Sequence, residues 1–444
     1  MQQQTVIKDA HIIDLRVPTS DTLLGSDPFH KKPNYSAVIV QLETNSQFSG
    51  CSLAFTVGAG NDWIAHGVKD LAKLVVGASL EDFCKDPGAF YRLLVDHHQL
   101  RWLADGVFRM AAGSIINAMW DLWAKQAAKP LWKLLVDLAP EKVVQCIDWR
   151  YLRDVLTPAE AAEILNANWE SRGERESRLL KRGPKAYSTA GWLGLSDSQI
   201  IETIAQMQAV GLDCFKMKIG KDLQHDLNRL SFIRKAIGDN ARLMLDANQV
   251  WGVDEAIDYM QQLVQFRPTW IEEPTARDDV LGCLKIAKAM EKYGIGVAAG
   301  EQVPSPVIFK QLLASGAIRY CQIDATRLAG VNDVLAVILM AAKYKVAVCP
   351  HGGGIGLCNM IPHYALWDQI CVAAHSNDQV VEHINFLQDE AFIHPVKLEH
   401  GAYVTPTAPG WGVEMHADFV SKHIYPSGSV WVGREDSGGV KFLA

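Results

Sequence analysis

The sequence predicts an α/β chain built around a barrel of eight parallel strands, with a smaller α+β domain in front of it. Two observations carry this. Eight short apolar segments recur, at residues 186–192, 214–220, 241–248, 269–274, 296–302, 320–326, 345–351 and 379–385. Amphipathic stretches of helical spacing lie between most of them, clearest at residues 198–210, 223–237 and 254–266. Strand plus helix every ~25–30 residues, eight times over, is the rhythm of a (β/α)8-type barrel. An open doubly wound sheet is the competing arrangement, but the glycine fingerprint that should follow its first strand is missing.

The flanking segments read differently. Residues 5–17, 36–44 and 51–57 are β-rich, the last two separated by the polar turn 45–50. From residue 62 to 137 apolar positions fall three and four apart, ending in Trp120, Trp123 and Trp132, which read as core. Residues 168–185 mix Glu, Arg and Lys and read as a solvated helix or loop. After residue 386 the rhythm stops, and Pro395, Pro406, Pro409, Gly410 and Pro426 mark an irregular arm expected to pack back over the amino-terminal domain. The expected organisation is therefore an α+β cap over residues 1–145, a barrel over 146–390 and an arm over 391–444.

Composition excludes several classes. The 444 residues are 49% hydrophobic, enough to fill a large core, so a disordered chain is excluded. Forty-three Lys and Arg stand against 50 Asp and Glu, a net charge of -7 with no basic run, so no nucleic-acid or membrane partner is expected. Residues 1–15 lack a cationic start and an apolar stretch, and the apolar run 334–342 is far short of the ~20 residues of a membrane helix. Nine cysteines without a Cys-x-x-Cys pair read as reduced thiols, and a cytoplasmic location is expected.

In a parallel barrel the chemistry gathers at the carboxyl ends of the strands. Those ends carry Lys216 and Lys218, Asp246 and Asn248, Glu272, Glu301, Asp324, His351 and Glu382. Charged groups at interior strand positions are costly without partners. Asp246, Glu272 and Glu301 fall one strand–helix unit apart, on neighbouring strands roughly 5 Å apart. Three carboxylates so placed repel unless a cation sits among them, and an all-oxygen set argues for Mg2+. Lys216 and Lys218 alternate on one strand and share a face. A divalent charge ~6 Å from Lys218 in an effective dielectric of ~20 repels its proton by roughly 5.5 kcal/mol. Lowering a lysine pKa to ~7.5 takes only about 4 kcal/mol, so a neutral, basic Lys218 is within reach. His351 precedes three glycines and invites comparison with the oxyanion loop of esterases, but the Gly-x-Ser-x-Gly elbow of that fold does not occur. Pairing with Asp324, one strand earlier, makes His351 an acid/base group instead. The loops 19–35 and 58–62 are expected to close over the barrel mouth.

The run Lys216-Met217-Lys218, Asp246-Ala247-Asn248, Ile271-Glu272-Glu273-Pro274, Gly300-Glu301-Gln302, Gln322-Ile323-Asp324 and Pro350-His351-Gly352-Gly353 resembles the mandelate racemase subgroup of the enolase superfamily. Gln99-Leu100-Arg101-Trp102-Leu103, Trp120-Asp121-Leu122-Trp123, Phe309-Lys310-Gln311-Leu312-Leu313, Gly356-Leu357-Cys358 and Tyr425-Pro426-Ser427-Gly428 extend the likeness to the L-fuconate dehydratases. The resemblance implies a (β/α)7β-type modified TIM barrel, an α+β cap completed by the carboxyl-terminal arm, and a homo-oligomer. It also implies Mg2+ on Asp246, Glu272 and Glu301 and a small acid-sugar substrate. Lys218 would take the C2 proton, with Lys216 bracing the carboxylate; His351, held by Asp324, would protonate the departing 3-hydroxyl, and Asn248 and Glu382 would bind substrate. An ene-diolate would then lead to a 2-keto-3-deoxy acid. Such Lys or His bases beside Mg2+ are a known device of the superfamily.

Overall fold

The cap opens the chain as an antiparallel sheet of β1 (Ile7–Arg16), β2 (Tyr35–Thr44) and β3 (Gly50–Val57), joined in that order. The computed structural model describes residues 4–103, 105–373, 378–384 and 386–434; the end of the eighth predicted segment, at Asn385, and the last ten residues of the arm lie outside them. Helices Gly60–Ala72 and Val107–Gln126 cover the sheet. Trp120 is fully buried between cap and barrel, its indole N–H donating to Asn332 at 3.0 Å, and Trp132 is buried as well. All nine cysteines are free thiols.

The barrel follows as β4 (Ala186–Gly191), β5 (Cys214–Lys218), β6 (Arg242–Asp246), β7 (Trp270–Glu272), β8 (Gly296–Ala299), β9 (Tyr320–Cys321), β10 (Ala347–Val348) and β11 (Val381–His383). All neighbours are parallel, in the order β10-β9-β8-β7-β6-β5-β4-β11. The ring closes between its ends where Glu382 N–H donates to the Pro350 carbonyl at 3.3 Å. Helices follow the first seven strands, and after β11 the chain leaves for the arm. This is the (β/α)7β form: the eighth helix of a regular barrel is replaced by the arm, as the loss of the repeat after residue 386 implied. The ladders are shorter than the predicted segments because those segments run on past the paired residues into the turns that carry the site.

Alternation along these strands separates two layers. The inward positions Tyr187, Cys214, Met244, Trp270, Ala298 and Tyr320 form an apolar plug, all buried. Two residues further along, the same inward face carries Lys216, Asp246, Glu272 and Gln322. The buried plug closes the charged layer from below, and a cavity opens above it.

The arm is anchored by buried polar contacts. Asp121 accepts from Cys51 N–H and Trp411 N–H, each at 2.7 Å, tying β3, a cap helix and the arm together. His363 accepts from Trp132 N–H at Nδ1 (3.1 Å) and meets the Trp411 carbonyl at Nε2 (3.2 Å); His383 meets the Tyr403 hydroxyl at 3.3 Å. Burial pushes both imidazoles down to about 4 from 6.5. Folded rings stay neutral while unfolded ones charge, so their stabilisation is complete above pH 6.5 and lost as pH falls toward 4. Urea unfolding is expected to lose about 3 kcal/mol per ring over that window. The His363→Gln variant, unable to take a proton, should lose correspondingly less; an equal loss in both proteins would refute the assignment.

Candidate active site

Each functional side chain reaches the site from a strand end or the turn beyond it. The β5–β6 register sets Lys218 against Asp246, and the β6–β7 register sets Asp246 against Glu272. Of the adjacent pair Glu272 and Glu273, alternation with the inward Trp270 points Glu272 into the barrel. Glu273 and Asn248 then take left-handed backbone conformations, with φ of 40° and 45°. Such angles are unfavourable for non-glycine residues and turn the chain sharply off the strand.

Asp246, Glu272 and Glu301 each offer an oxygen within 4.8 Å of the other two, and all three are buried. Lys216 Nζ stands 2.6 Å from Glu272, 2.8 Å from Glu382 and 3.6 Å from Asp246. Lys218 Nζ lies 2.5 Å from Asp246 and over the Trp192 ring at 5.3 Å. Four carboxylates against two ammoniums leave an excess of two negative charges, the charge of one divalent ion. Burial, with Asp246 adding to it, pushes Glu272 up to about 8, so without a cation the site sheds charge by protonating this acid. Burial opposes the charge on Glu382 and Asp246 too, but the lysines outweigh it and hold both below the usual carboxylate range. Glu301 Oε2 and Asn248 Oδ1 are buried and receive no hydrogen bond. A hard cation satisfies orphaned oxygens of this kind, and the all-oxygen donor set fits Mg2+.

On the opposite side His351 Nδ1 meets Asp324 at 2.8 Å, while Nε2 lies 3.3 Å from Glu301. Asp324 also accepts from the Thr326 and Arg327 N–H groups, which fix it. Burial lowers His351, but Glu301, Asp324 and Glu382 more than offset it and raise the ring to about 9. Lys218 likewise rises above its ordinary value because Asp246 outweighs burial. The expectation of a lowered Lys218 weighed the cation's repulsion alone; the carboxylate 2.5 Å away pulls the other way.

All nine predicted residues therefore fall in one cluster. Lys218, Asn248, Glu301, His351 and Glu382 line a cavity of about 320 Å3, closed from the cap side by Asp27, His30, Tyr35 and Gly60. The loop bearing Asp27 docks on the barrel through Ser26, which accepts from Gly194 N–H at 2.7 Å. Lys216, beneath the cavity, is committed to the carboxylates around it. Sequence reasoning missed the groups that aim the ligands. Gln322 and the Trp270 indole donate to Glu272 at 2.7 and 3.1 Å, and Thr189 donates a short hydrogen bond to Glu382. The signal for Gln322 was its place two residues before Asp324 on the inward face. A second cavity, of about 360 Å3, lies apart between Tyr91 and Ser305, where Arg109 and Arg150 are already paired with Asp333 and Asp96.

Residues 199–419 match the family described as enolase C-terminal domain-like, and residues 27–136 the mandelate racemase / muconate lactonizing enzyme N-terminal domain. The human mitochondrial enolase superfamily member 1 is 45% identical, covering 94% of this chain and 95% of its own. The chain belongs to the enolase superfamily, in its mandelate racemase / muconate lactonizing enzyme subgroup. The crystal structure of that human member superimposes on this enolase-superfamily chain with a TM-score of 0.94, at 44% identity, over 96% of this chain and 98% of the other. An L-galactonate dehydratase from Hypocrea jecorina is 43% identical, covering 93% of this chain and 92% of its own. A Salmonella typhimurium L-talarate/galactarate dehydratase, solved with Mg and L-lyxarohydroxamate, shares the fold at 23% identity and a TM-score of 0.72, covering 94% of this chain and 92% of that one. Among the described residues no helix is long and apolar enough to cross a membrane.

Proposed function

We propose that this chain is a Mg2+-dependent acid-sugar dehydratase whose substrate is L-fuconate. The observation that carries the reading is one cavity with a lysine on one side, a histidine–aspartate pair on the other and a carboxylate triad beside both. Bound by Asp246, Glu272 and Glu301, Mg2+ supplies positive charge that offsets Asp246 beside Lys218 and draws electron density from the substrate carboxylate. Lys218, as the free amine, takes the proton from C2. His351, oriented by Asp324 and carrying the proton, gives it to the 3-hydroxyl, which leaves as water. The C2–H and C3–O bonds break, a C2=C3 bond forms, and the enol tautomerises to the 2-keto-3-deoxy acid. Asn248 and Glu382 face the polyol oxygens.

The choice of sugar rests on two supports. L-Fuconate is L-galactonate without its 6-hydroxyl, and an L-galactonate dehydratase is among the relatives. Part of the cap side of the cavity is apolar, with Phe55, Val57, Ile64, Val107 and Met110 beside the polar Asp27, His30 and Thr56. Burying a terminal hydroxyl there without a partner costs about 1–3 kcal/mol, roughly ten- to a hundredfold in kcat/KM. With Mg2+ and a panel of L-fuconate, L-galactonate, L-rhamnonate and D-arabinonate, semicarbazide is expected to trap most keto acid from L-fuconate. Preference for L-galactonate would transfer the reading to the second sugar, and silence toward every aldonate by folded, metal-loaded protein would overturn it.

A further inference from the structure

Arg327 stands in the turn after β9, three residues beyond Asp324, and lines the same cavity. Its Nε is buried and makes no hydrogen bond. Its Nη1 reaches the Met110 sulfur at 3.4 Å, a weak acceptor. Among the described residues no carboxylate forms an ion pair with it. Other enclosed arginines differ: Arg229 donates to the Lys218 and Trp192 carbonyls, Arg175 to those of Ile370 and Asn168, and Arg109 to Asp333. The side chain is only partly buried, but its buried Nε has no partner, and an unpaired buried donor is costly to the free protein, a cost that a ligand oxygen removes.

The place of the fork decides which oxygen. Glycine 113 lets the cap helix Val107–Gln126 approach the turn after β9 closely; a Cβ there would fall 2.3 Å from the Leu328 carbonyl. That approach brings Met110 to Arg327. The guanidinium therefore lies against the cap helix at Met110, in the cavity that Val107 and His351 also line. With C2 at Lys218 and C3 at His351, the sugar chain beyond C3 runs toward it. We propose that Arg327 is a specificity-determining residue that binds the hydroxyls of the substrate tail, C4 and C5, while the terminal methyl packs on Met110 and Val107. A terminal carboxylate would also suit a guanidinium, and a preference for a diacid over the aldonate would mark that case. This inference rests on the dehydratase reading and deepens it.

The test compares wild-type enzyme with Arg327→Gln and Arg327→Lys, loaded with Mg2+, on L-fuconate and on the 2,3-dihydroxybutanoate of matching C2 and C3 configuration, which lacks both hydroxyls. Arg327→Gln is expected to raise KM for L-fuconate at least thirtyfold and for the short acid less than threefold. The loss should fall on KM rather than kcat, and the pH profile of kcat should not move. Arg327→Lys should not restore the affinity, because a point charge cannot span two vicinal oxygens. Equal KM changes for both acids, or a displaced pH profile showing that Arg327 serves Asp324 instead, would overturn the proposal. So would a wild-type preference for galactarate that vanishes in Arg327→Gln. Wild-type enzyme that dehydrates neither acid would bring down the dehydratase reading and this one together, whereas wild-type turnover with an indifferent Arg327→Gln brings down this one alone.

Discussion

Replacing Lys218 by alanine is expected to lower kcat by roughly 10²–10⁴-fold, the range contributed by a positioned general base. The side chain is buried, its ammonium enclosed between Asp246 at 2.5 Å and the Trp192 ring at 5.3 Å, and it lines the cavity above the triad. Water has no comparable group to put in its place. The competing role is that of a counter-ion whose only task is to neutralise Asp246. The two roles part experimentally, because removing a counter-ion leaves Asp246 more negative and favours a cation. The alanine variant should therefore bind Mn2+, followed by electron paramagnetic resonance, at least as tightly as wild type. It should also lose the exchange of the C2 proton with deuterated solvent. Retained turnover, with tighter cation binding, would reduce Lys218 to the counter-ion.

Much of this site was legible because a barrel strand enforces a period of two and a parallel ladder enforces register. Lys216 and Lys218, two apart, had to share a face, and carboxylates one strand–helix unit apart had to become neighbours. The choice of Glu272 over Glu273 follows from the same alternation, anchored by Trp270 in the plug. What escaped depends on contacts across the fold. The loop 19–35 was expected over the barrel mouth, but not that Asp27 and His30 are among its residues lining the cavity, and Met110 meets Arg327 only because the cap helix lies against the turn after β9. Nor does spacing weigh opposing charges. Lys218 was expected low beside a cation; without one, Asp246 holds it above its ordinary value, so its basicity depends on the balance of the two. The final helix of the regular barrel was replaced where the apolar rhythm failed, so the departure was marked in the sequence, while the arm's anchoring on Asp121 and Arg16 was not.

Glu301→Gln should abolish cation-dependent turnover and do so without unfolding the protein. Among the three ligands it is the one whose loss disturbs the cation-free protein least. Asp246 and Glu272 hold lysines at 2.5 and 2.6 Å, so replacing either disturbs the contacts of a buried lysine. Among the described residues Glu301 holds no lysine; its charged neighbour is the His351 ring at 3.3 Å, which is also paired with Asp324 at 2.8 Å, so an amide at 301 leaves the ring a carboxylate partner. Wild-type enzyme at Mg2+ a hundredfold above its Kd should gain about 2.7 kcal/mol of stability, read as a rise in Tm. The variant in EDTA should melt within a few degrees of wild type in EDTA, and added Mg2+ should leave its Tm unchanged. EDTA alone should silence wild type, with full recovery when Mg2+ returns. A variant that still gains Tm and activity from Mg2+ would place the ion elsewhere, and with it the polarisation on which removal of the C2 proton depends.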